Sequence, residues 1–272
     1  MADSGAAGWH ADPYQRHELR YYDGRRWTEH VADAGQTSVD YPDAVGLPTV
    51  QRSTEKVVGD VARAGVADGA AGGGTIFTEP VLVVNQKAKL IELTNQYAVY
   101  DRSGAQIGGV RQVGQSAGRK VLRALTSVDQ FLTTKLEVVD MAENVLLRLT
   151  RPAKVMKSRV VVSDAAGNEL GQIVQQNVIG KINFSLEAGG QTYGSINAEN
   201  WRAWNFSIRD HEGQEVARIT KTWEGLAKTM FTTADNYVVE MKRELEEPLR
   251  SLVVASALSV DTALKQDARG FG

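Results

Sequence analysis

One apolar stretch near the end of the chain, EEPLRSLVVASALSVDTALK from Glu246 to Lys265, restricts the fold more than any other feature. Its uncharged part, between Arg250 and Asp261, is only ten residues long. A bilayer core needs about twenty predominantly apolar residues, whereas about ten to fourteen are typical of a buried core helix. The stretch is also apolar on nearly every side, and a helix of that kind must be surrounded. We therefore expect the protein to enclose it.

The ends of this stretch carry the signals of helix termini. Pro248 is tolerated in the first turn of a helix, and Glu246 and Glu247 suit the positive end of its dipole. Lys265 suits the negative end. These signals predict a helix over Leu249–Leu264, and burial of its large side chains is expected to contribute on the order of 10 kcal/mol of gross stabilisation.

A theme repeated between Tyr97 and Ile219 indicates what surrounds this helix. YAVYDRSGAQIGGV, VVVSDAAGNELGQIV and FSIRDHEGQEVARI each contain a strand, an aspartate, a turn with glycine and a second strand, and LEVVDMAENVLLRL and FSLEAGGQTYGSI are weaker copies. Asp and Gly satisfy the geometry of tight antiparallel turns. The copies predict a mainly β domain of about ten or more strands, closed into a barrel or folded into a sandwich. A closed barrel is the partner that can enclose the helix.

The first part of the chain predicts a separate small module. Asp23-Gly24 is typical of a tight hairpin turn. So short a segment buries little surface, and its aromatic rings are therefore expected to clamp Pro13 in a miniature core. An aromatic face also suits a protein partner, and the residues assigned to it are Trp9, Tyr21, Tyr22 and Trp27.

The pattern GW, DP, RYYDG, RWT and V in this module resembles a short actinobacterial domain of unknown function, and no activity follows from that resemblance. His10, His17 and His30 lie here with Asp12 and Asp23. Their spacing matches no ligand motif, and polar surface modules are normally rich in such residues. We therefore assign no metal site.

These patterns divide the chain into a module over residues 1–33, a flexible linker over 34–75, a barrel with its central helix over 76–266 and a tail over 267–272. The linker ends in GVADGAAGGG and has no sustained apolar period, which is typical of a tether. Val57–Val66 has the pattern of a transient helix, but nothing in the sequence indicates what holds it.

Composition excludes several classes of function. The chain of 272 residues has no cysteine, which excludes disulfides, thiolate metal sites, catalytic thiols and palmitoyl anchors. Its start has neither a basic n-region nor an apolar h-region, so we expect no signal peptide and a cytoplasmic location. The net charge of −2 conceals eleven Lys or Arg against four Asp or Glu within Arg102–Val160, a local balance of +7 that leaves −9 elsewhere. This segregation favours an anionic partner.

The segments ADNYVVEMKRELEEPLRSLVVASALSVDTAL, RPAKVMKSRVVVSDAAGNELGQIVQQ and ITKTWEGLAKTMFTTADNY resemble the phospholipid scramblase family and its LURP-one-related relatives. The resemblance covers about Phe77–Lys265. It implies a tubby-like fold, in which roughly twelve antiparallel strands close around a hydrophobic C-terminal helix. It also implies binding or translocation of phospholipid at a membrane.

Two features of animal members are missing. Their proposed calcium site corresponds to Thr233–Glu244, where only Asp235 and Glu244 fit the loop positions and Val238 replaces the required glycine. The alternation of this segment predicts a strand and no calcium site. The cysteine cluster that lipidates animal members is absent too, so membrane attachment rests on a basic patch alone.

That basic patch lies in VLLRLTRPAKVMKSRVVV, which has no acidic residue, and is preceded by GRKVLRAL. A basic side chain near an anionic leaflet contributes about 1 kcal/mol. The alternative is a solvated strand edge protected from aggregation by its charges. The residues predicted to bind lipid headgroups are Arg148, Arg151, Lys154, Lys157, Arg159, Arg119, Lys120 and Arg123.

Enzymatic chemistry is not indicated. The predicted barrel has one histidine, His211, in a turn, and shows no Ser-His-acid order, nucleotide loop or metal helix. We predict no catalytic residues and no cofactor. Nucleic acid is not an expected partner, because no interleaving of basic and aromatic residues is present.

The sequence therefore favours a non-catalytic, scramblase-like barrel that binds anionic phospholipid at the inner face of the plasma membrane, with lipid translocation as an extension of that role. The alternative is a cytosolic scaffold that recruits a protein partner through the N-terminal module.

Overall fold

The computed structural model describes residues 6–42, 53–66, 72–86, 96–114, 133–153, 157–177, 183–200, 205–222 and 236–268. Within these residues the chain forms a four-stranded sheet, a closed barrel and two helices. We call residues 6–42, which contain the small sheet, the N-terminal module.

The N-terminal module is an antiparallel meander of β1 (Gly8–Ala11), β2 (Leu19–Tyr22), β3 (Trp27–Asp33) and β4 (Gln36–Val39). The predicted hairpin at Asp23-Gly24 is confirmed, since Gly24 has a φ of 87° between β2 and β3. A second turn at Ala34-Gly35 leads into β4. This strand lies in the range assigned to the linker, because its polar sequence QTSV lacks the apolar alternation that marks a strand.

The barrel contains twelve antiparallel strands in sequential order, and it closes where the last strand pairs with the first. The predicted closed barrel is confirmed, and every copy of the repeated theme is a hairpin of it. The strands are β5 (Val81–Gln86), β6 (Gln96–Tyr100), β7 (Gln106–Val113), β8 (Thr134–Asp140), β9 (Val145–Arg151), β10 (Arg159–Ser163), β11 (Glu169–Gln175), β12 (Asn183–Ala188), β13 (Gln191–Asn200), β14 (Asn205–Asp210), β15 (Glu215–Thr222) and β16 (Asn236–Met241).

The two ends of the barrel differ. At one, the turn end, tight turns join β6 to β7, β8 to β9, β10 to β11, β12 to β13 and β14 to β15. In four of these turns an aspartate carboxylate accepts hydrogen bonds from backbone N–H groups of the same turn, as the Asp and Gly pattern predicts. They are Asp101 (3.0 Å from Ala105 N), Asp140 (2.9 Å from Asn144 N), Asp164 (2.8 Å from Asn168 N) and Asp210 (2.9 Å from Gln214 N). The other ends of these hairpins lie at the opposite end of the barrel, which we call the loop end.

Helix α2 (Leu249–Ala268) enters the barrel from the turn end and fills its lumen. Every residue from 251 to 259 is buried, so the predicted enclosure of the apolar stretch is confirmed. Glu247 accepts a hydrogen bond from the backbone N–H of Ser251 at 3.2 Å and so caps the first turn. None of the helices in the described part of the chain combines the length and the apolarity that crossing a membrane requires.

Close approach of the lumen helix to the wall depends on Gly171 of β11. A Cβ atom at this position would lie 2.4 Å from the carbonyl oxygen of Glu187 and 3.2 Å from Cδ2 of Leu252. The lumen-facing residue is therefore a glycine where the wall and helix are tightly packed.

Helix α1 (Thr54–Arg63) lies on the outside of the barrel, in the range assigned to the linker. Its Val57 and Val61 pack against outward-facing residues of β5, β6 and β16. Asp60 is buried and accepts a hydrogen bond from Oγ1 of Thr222 at 2.9 Å. The partners that hold this helix are distant in sequence, which is why the local pattern of Val57–Val66 does not indicate them.

Candidate functional site

The side chains that line the lumen change from apolar to polar toward the loop end. The inward positions beside α2 are apolar, whereas the last inward position of several strands is polar and buried. Nη2 of Arg151 donates a hydrogen bond to Oγ1 of Thr134 at 3.2 Å, and Oε1 of Gln175 accepts one from the backbone N–H of Ser158 at 2.8 Å. The polar residues that follow the inward alternation here are Gln112, Thr134, Arg151, Gln175 and Lys221.

The outer face of β7, β8 and β9 carries a row of paired charges. Register places Arg111, Glu137 and Arg148 side by side on successive strands. Nε of Arg111 lies 3.0 Å from Oε2 of Glu137, whose other oxygen accepts a hydrogen bond from Nη1 of Arg148. Nη1 of Arg111 also lies 3.3 Å from Glu143. Paired in this way, the row is satisfied although it is largely buried.

The N-terminal module covers part of this row. The carbonyl oxygen of Val39 accepts a hydrogen bond from Nη2 of Arg148. The Tyr41 ring lies between two cations, with its centroid 4.9 Å from Nζ of Lys135 and 5.7 Å from Cζ of Arg148. Nζ of Lys135 is 3.3 Å from Oε1 of Glu29. The module therefore contacts the barrel through an aromatic ring and a carboxylate set against two basic side chains.

These contacts affect the pKa values of the paired groups. Burial by itself lowers the pKa of Lys135, but the interactions with Tyr41 and Glu29 outweigh it and raise that pKa above its ordinary value. For the carboxyl group of Glu29 the directions are opposite. Burial by itself raises its pKa, but its own backbone N–H and the charge of Lys135 outweigh burial and lower the pKa. Both groups are thus held in their charged forms near neutral pH.

The structure divides the predicted headgroup residues. Arg148 is only 9% exposed and lies beneath the N-terminal module. Arg151 is buried and follows the lumen-facing alternation of Leu147 and Leu149. Lys157 and Arg159 are exposed at the loop end of β10, where Nζ of Lys157 donates a hydrogen bond to the carbonyl of Gln176 at 2.8 Å. The other predicted residues lie outside the described part of the chain, namely Lys154, Arg119, Lys120 and Arg123.

Lys135 is not among the residues predicted from the sequence to bind headgroups, although it belongs to the same surface. Register pairs it with Thr150 of β9, and Thr150 is paired with Val161 of β10. Standard strand spacing then places the α-carbons of Lys135, Arg148 and Arg159 within about 15 Å of one another on one outer face. The alternation of apolar and polar residues in TKLEVVD predicts this outward position of Lys135, because the neighbouring Leu136 points inward. We call the set Lys135, Arg148, Lys157 and Arg159 the basic wall.

The aromatic residues predicted to bind a partner form two pairs on opposite faces of the small sheet. Trp9 contacts Tyr21 edge to face, with ring centroids 5.5 Å apart, and Tyr22 contacts Trp27 at 5.2 Å. Strand alternation separates the pairs, because Trp9 and Tyr21 are directly opposed while Tyr22 is opposed to Gly8. Trp9 is 42% exposed. Assignment of these residues to a partner stays a prediction.

The expected aromatic clamp around Pro13 is wrong. Pro13 is exposed, and the largest fully buried side chain of the module is Arg20. Nε of Arg20 lies 2.7 Å from Oδ1 of Asp12, and its Nη2 pairs with Asp40. The rings stand on the two faces of a twisted meander and do not converge, so a charged cluster occupies the centre.

The sequence predicts no metal site at the histidines of the module or at Thr233–Glu244. Across the described ranges, no three His, Asp or Glu residues lie where they would hold a metal ion together. Nδ1 of His17 is 2.5 Å from Oδ2 of Asp33. Val238 is paired on both sides within β16, with Val83 and with Thr220. The predicted strand is therefore confirmed, while the absence of a calcium site stays a prediction.

Both parts of the chain resemble known proteins. A family model described as "Scramblase" matches residues 69–264, and one described as "Protein of unknown function (DUF2510)" matches residues 7–40. Altered inheritance rate of mitochondria protein 25 from Saccharomyces cerevisiae is 22% identical over 235 residues, which are 69% of this chain and 71% of that protein. A phospholipid scramblase family protein from Schizosaccharomyces pombe is 22% identical over 183 residues, 60% of this chain and 46% of that protein. An X-ray structure of a protein from Arabidopsis thaliana aligns with a TM-score of 0.41 at 11% identity, covering 70% of this chain and 99% of that one.

Proposed function

Because the chain belongs to the scramblase family, we propose that it binds anionic phospholipid without catalysing a reaction, as a peripheral protein at the inner face of the plasma membrane. The observation that carries this proposal is the basic wall. Lys157 and Arg159 are exposed on it, and Lys135 stands on the same outer face two strands away. Cations of this density attract a negatively charged leaflet.

Binding at the outer wall is favoured over direct translocation of lipid through the barrel. The lumen is filled by α2, whose residues 251–259 are buried. A lipid path through the lumen requires this helix to leave it, which would expose the apolar core to water. Any role in translocation therefore needs a rearrangement of the barrel, whereas headgroup binding needs none.

Sedimentation of the full-length protein with phosphatidylserine-containing vesicles tests the proposal. Each basic side chain contributes about 1 kcal/mol at an anionic surface, so Lys157→Gln with Arg159→Gln is expected to weaken binding on the order of thirtyfold. Arg25→Gln with Arg26→Gln is the matched control, because both arginines are exposed in the module and carry the same charge. Binding that ignores salt and anionic lipid, or equal weakening by both double variants, would refute the proposal.

A second candidate function, a scaffold for a protein partner, is favoured by one observation. Trp9 and Leu19 are both about two-fifths exposed, at 42% and 40%, and register places them on one face with Tyr21. An exposed apolar patch is typical of an interaction surface. Trp9→Asp with Leu19→Asp would then abolish crosslinking of the full chain to its partner without changing vesicle binding. If vesicle binding fell with crosslinking, the same face would serve lipid instead.

A further inference from the structure

The N-terminal module contacts two cations of the basic wall, Lys135 and Arg148, through groups that resemble those of an anionic ligand. A carboxylate, Glu29, contacts Lys135 at 3.3 Å, and a backbone carbonyl, that of Val39, accepts from Arg148. The Tyr41 ring fills the space between the two cations. A phosphate or carboxylate of a lipid headgroup offers the same kind of acceptor oxygens to Lys and Arg.

Charge complementarity extends beyond these contacts. Residues 6–42 contain six Asp or Glu and four Arg, a net charge of −2. The charged row together with Lys135 has three cations, Arg111, Lys135 and Arg148, against the carboxylates of Glu137 and Glu143. Its net charge is therefore +1 without the module, and Glu29 brings the local sum to zero. An anionic membrane carries the same sign of charge as the module that covers this positive surface.

We infer that Lys135 and Arg148 form a second phospholipid-headgroup site, which the N-terminal module masks by placing Glu29 and Tyr41 upon it. This inference rests on the proposed function, since Lys157 and Arg159 supply the exposed part of the same surface. When the module leaves the barrel, Lys135 and Arg148 become exposed beside Lys157 and Arg159. The module thereby sets how strongly the barrel binds an anionic surface.

Glu29→Lys in the full-length chain tests the masking. The substitution replaces an ion pair by repulsion between two lysines, so the module is expected to undock and affinity for phosphatidylserine vesicles to rise on the order of thirtyfold, as two added surface cations at about 1 kcal/mol each would give. Tyr41→Ala removes the ring between the cations and is expected to act in the same direction. Lys135→Gln added to Glu29→Lys is expected to cancel much of the gain.

Undocking must be measured independently of lipid. The chain has no cysteine, so single labels at His30→Cys in the module and Glu169→Cys on the barrel, both exposed positions, report their separation by electron spin resonance. Glu18→Lys is the matched control, because it changes the charge of the module equally at an exposed site that does not face Lys135.

The possible results distinguish masking by the module from the proposed binding of anionic phospholipid. A longer label distance together with tighter vesicle binding, in Glu29→Lys but not in Glu18→Lys, supports masking. An undocked module without tighter binding overturns it, and so does an equal gain in Glu18→Lys, or a module that stays docked in the Glu29→Lys, Tyr41→Ala double variant. If wild type and every variant fail to bind anionic vesicles, the proposed function itself is refuted.

Discussion

The barrel and the N-terminal module solve the same problem of burial in opposite ways. The barrel surrounds an apolar helix with inward-facing Val, Leu, Ile and Phe, so its core is large and apolar. The module is too short to bury much apolar surface, and Arg20, paired with Asp12 and Asp40, stands at its centre. The barrel should therefore depend on packing, and the module on charge. Four predictions test this contrast, and hydrogen exchange measured peptide by peptide reports on both regions in one sample.

The largest effect is expected in the lumen. Leu252→Asp places a carboxylate among apolar residues at a fully buried position of α2, which should cost about 5 kcal/mol or more and unfold the barrel. Loss of protection in barrel peptides checks this outcome. Leu252→Met is the control, since a swap that conserves volume should cost less than about 1.5 kcal/mol. A folded Leu252→Asp barrel would mean that the lumen admits water.

A smaller effect, confined to the module, is expected from Arg20→Met. It leaves Asp12 and Asp40 without the cation that they share, and breaking a buried pair in this way costs about 3 to 5 kcal/mol. Peptides of β1–β4 should exchange rapidly while those of the barrel stay protected. The nearby Arg26→Met, at an exposed position, should change neither. Equal loss in both regions would show that the module and the barrel unfold together.

Acid should separate the two regions further. Burial alone would raise the pKa of Asp12, but hydrogen bonds from Arg20 and from the backbone N–H groups of Tyr14 and Arg16 outweigh it and lower the pKa from 3.8 to about 2. A carboxyl group with a depressed folded-state pKa stabilises the fold above its unfolded pKa, and that contribution is lost as pH falls. About 2 kcal/mol of module stability should therefore disappear between about pH 4 and pH 2.

Exchange measured across this pH range checks the acid prediction. The module peptides should lose protection first, because the hydrophobic side chains around α2 in the described part of the chain do not titrate in this pH range. The opposite order, with barrel peptides opening first, would contradict a charge-dependent module.

The smallest effect is expected at the barrel turns. Asp164→Ala removes the acceptor of the backbone N–H of Asn168 at 2.8 Å and of its side-chain amide at 2.9 Å. The turn is exposed, so water replaces these bonds and the free energy of unfolding should fall by about 1 kcal/mol. Thermal unfolding of the variant checks this value, with Ala166→Ser in the same turn as the control. A loss as large as that of Arg20→Met would show that the barrel depends on its turns as much as the module depends on its buried ion pairs.

The masked site sharpens the contrast between the two regions. A region held by charge is easier to displace with salt or an anionic surface than one held by packing. The contacts of Glu29 with Lys135 and of Val39 with Arg148 are of this displaceable kind. The module is therefore suited to leave the barrel while the barrel itself stays closed.

Local pattern in the sequence was sufficient for the barrel and for the helix in its lumen. The Asp and Gly turns repeat beside alternating strands, and the apolar stretch before Asp261 is too short for a bilayer and apolar on nearly every side. Both signals are contained within a few turns or strands of chain. Those physical constraints act on neighbouring residues, so the sequence alone determined them.

Only the tertiary structure decided which charged residues are free to bind. In the sequence Arg148 belongs to a basic run, which predicts an exposed charge. In the structure it is buried and donates hydrogen bonds to Glu137 and to the carbonyl of Val39. The aromatic pattern of the module predicts a core of rings, yet Arg20 forms its centre, and Asp60 holds α1 through Thr222, far away in the chain. Burial of a charge depends on partners that folding brings from distant positions, and no periodicity in the sequence records them.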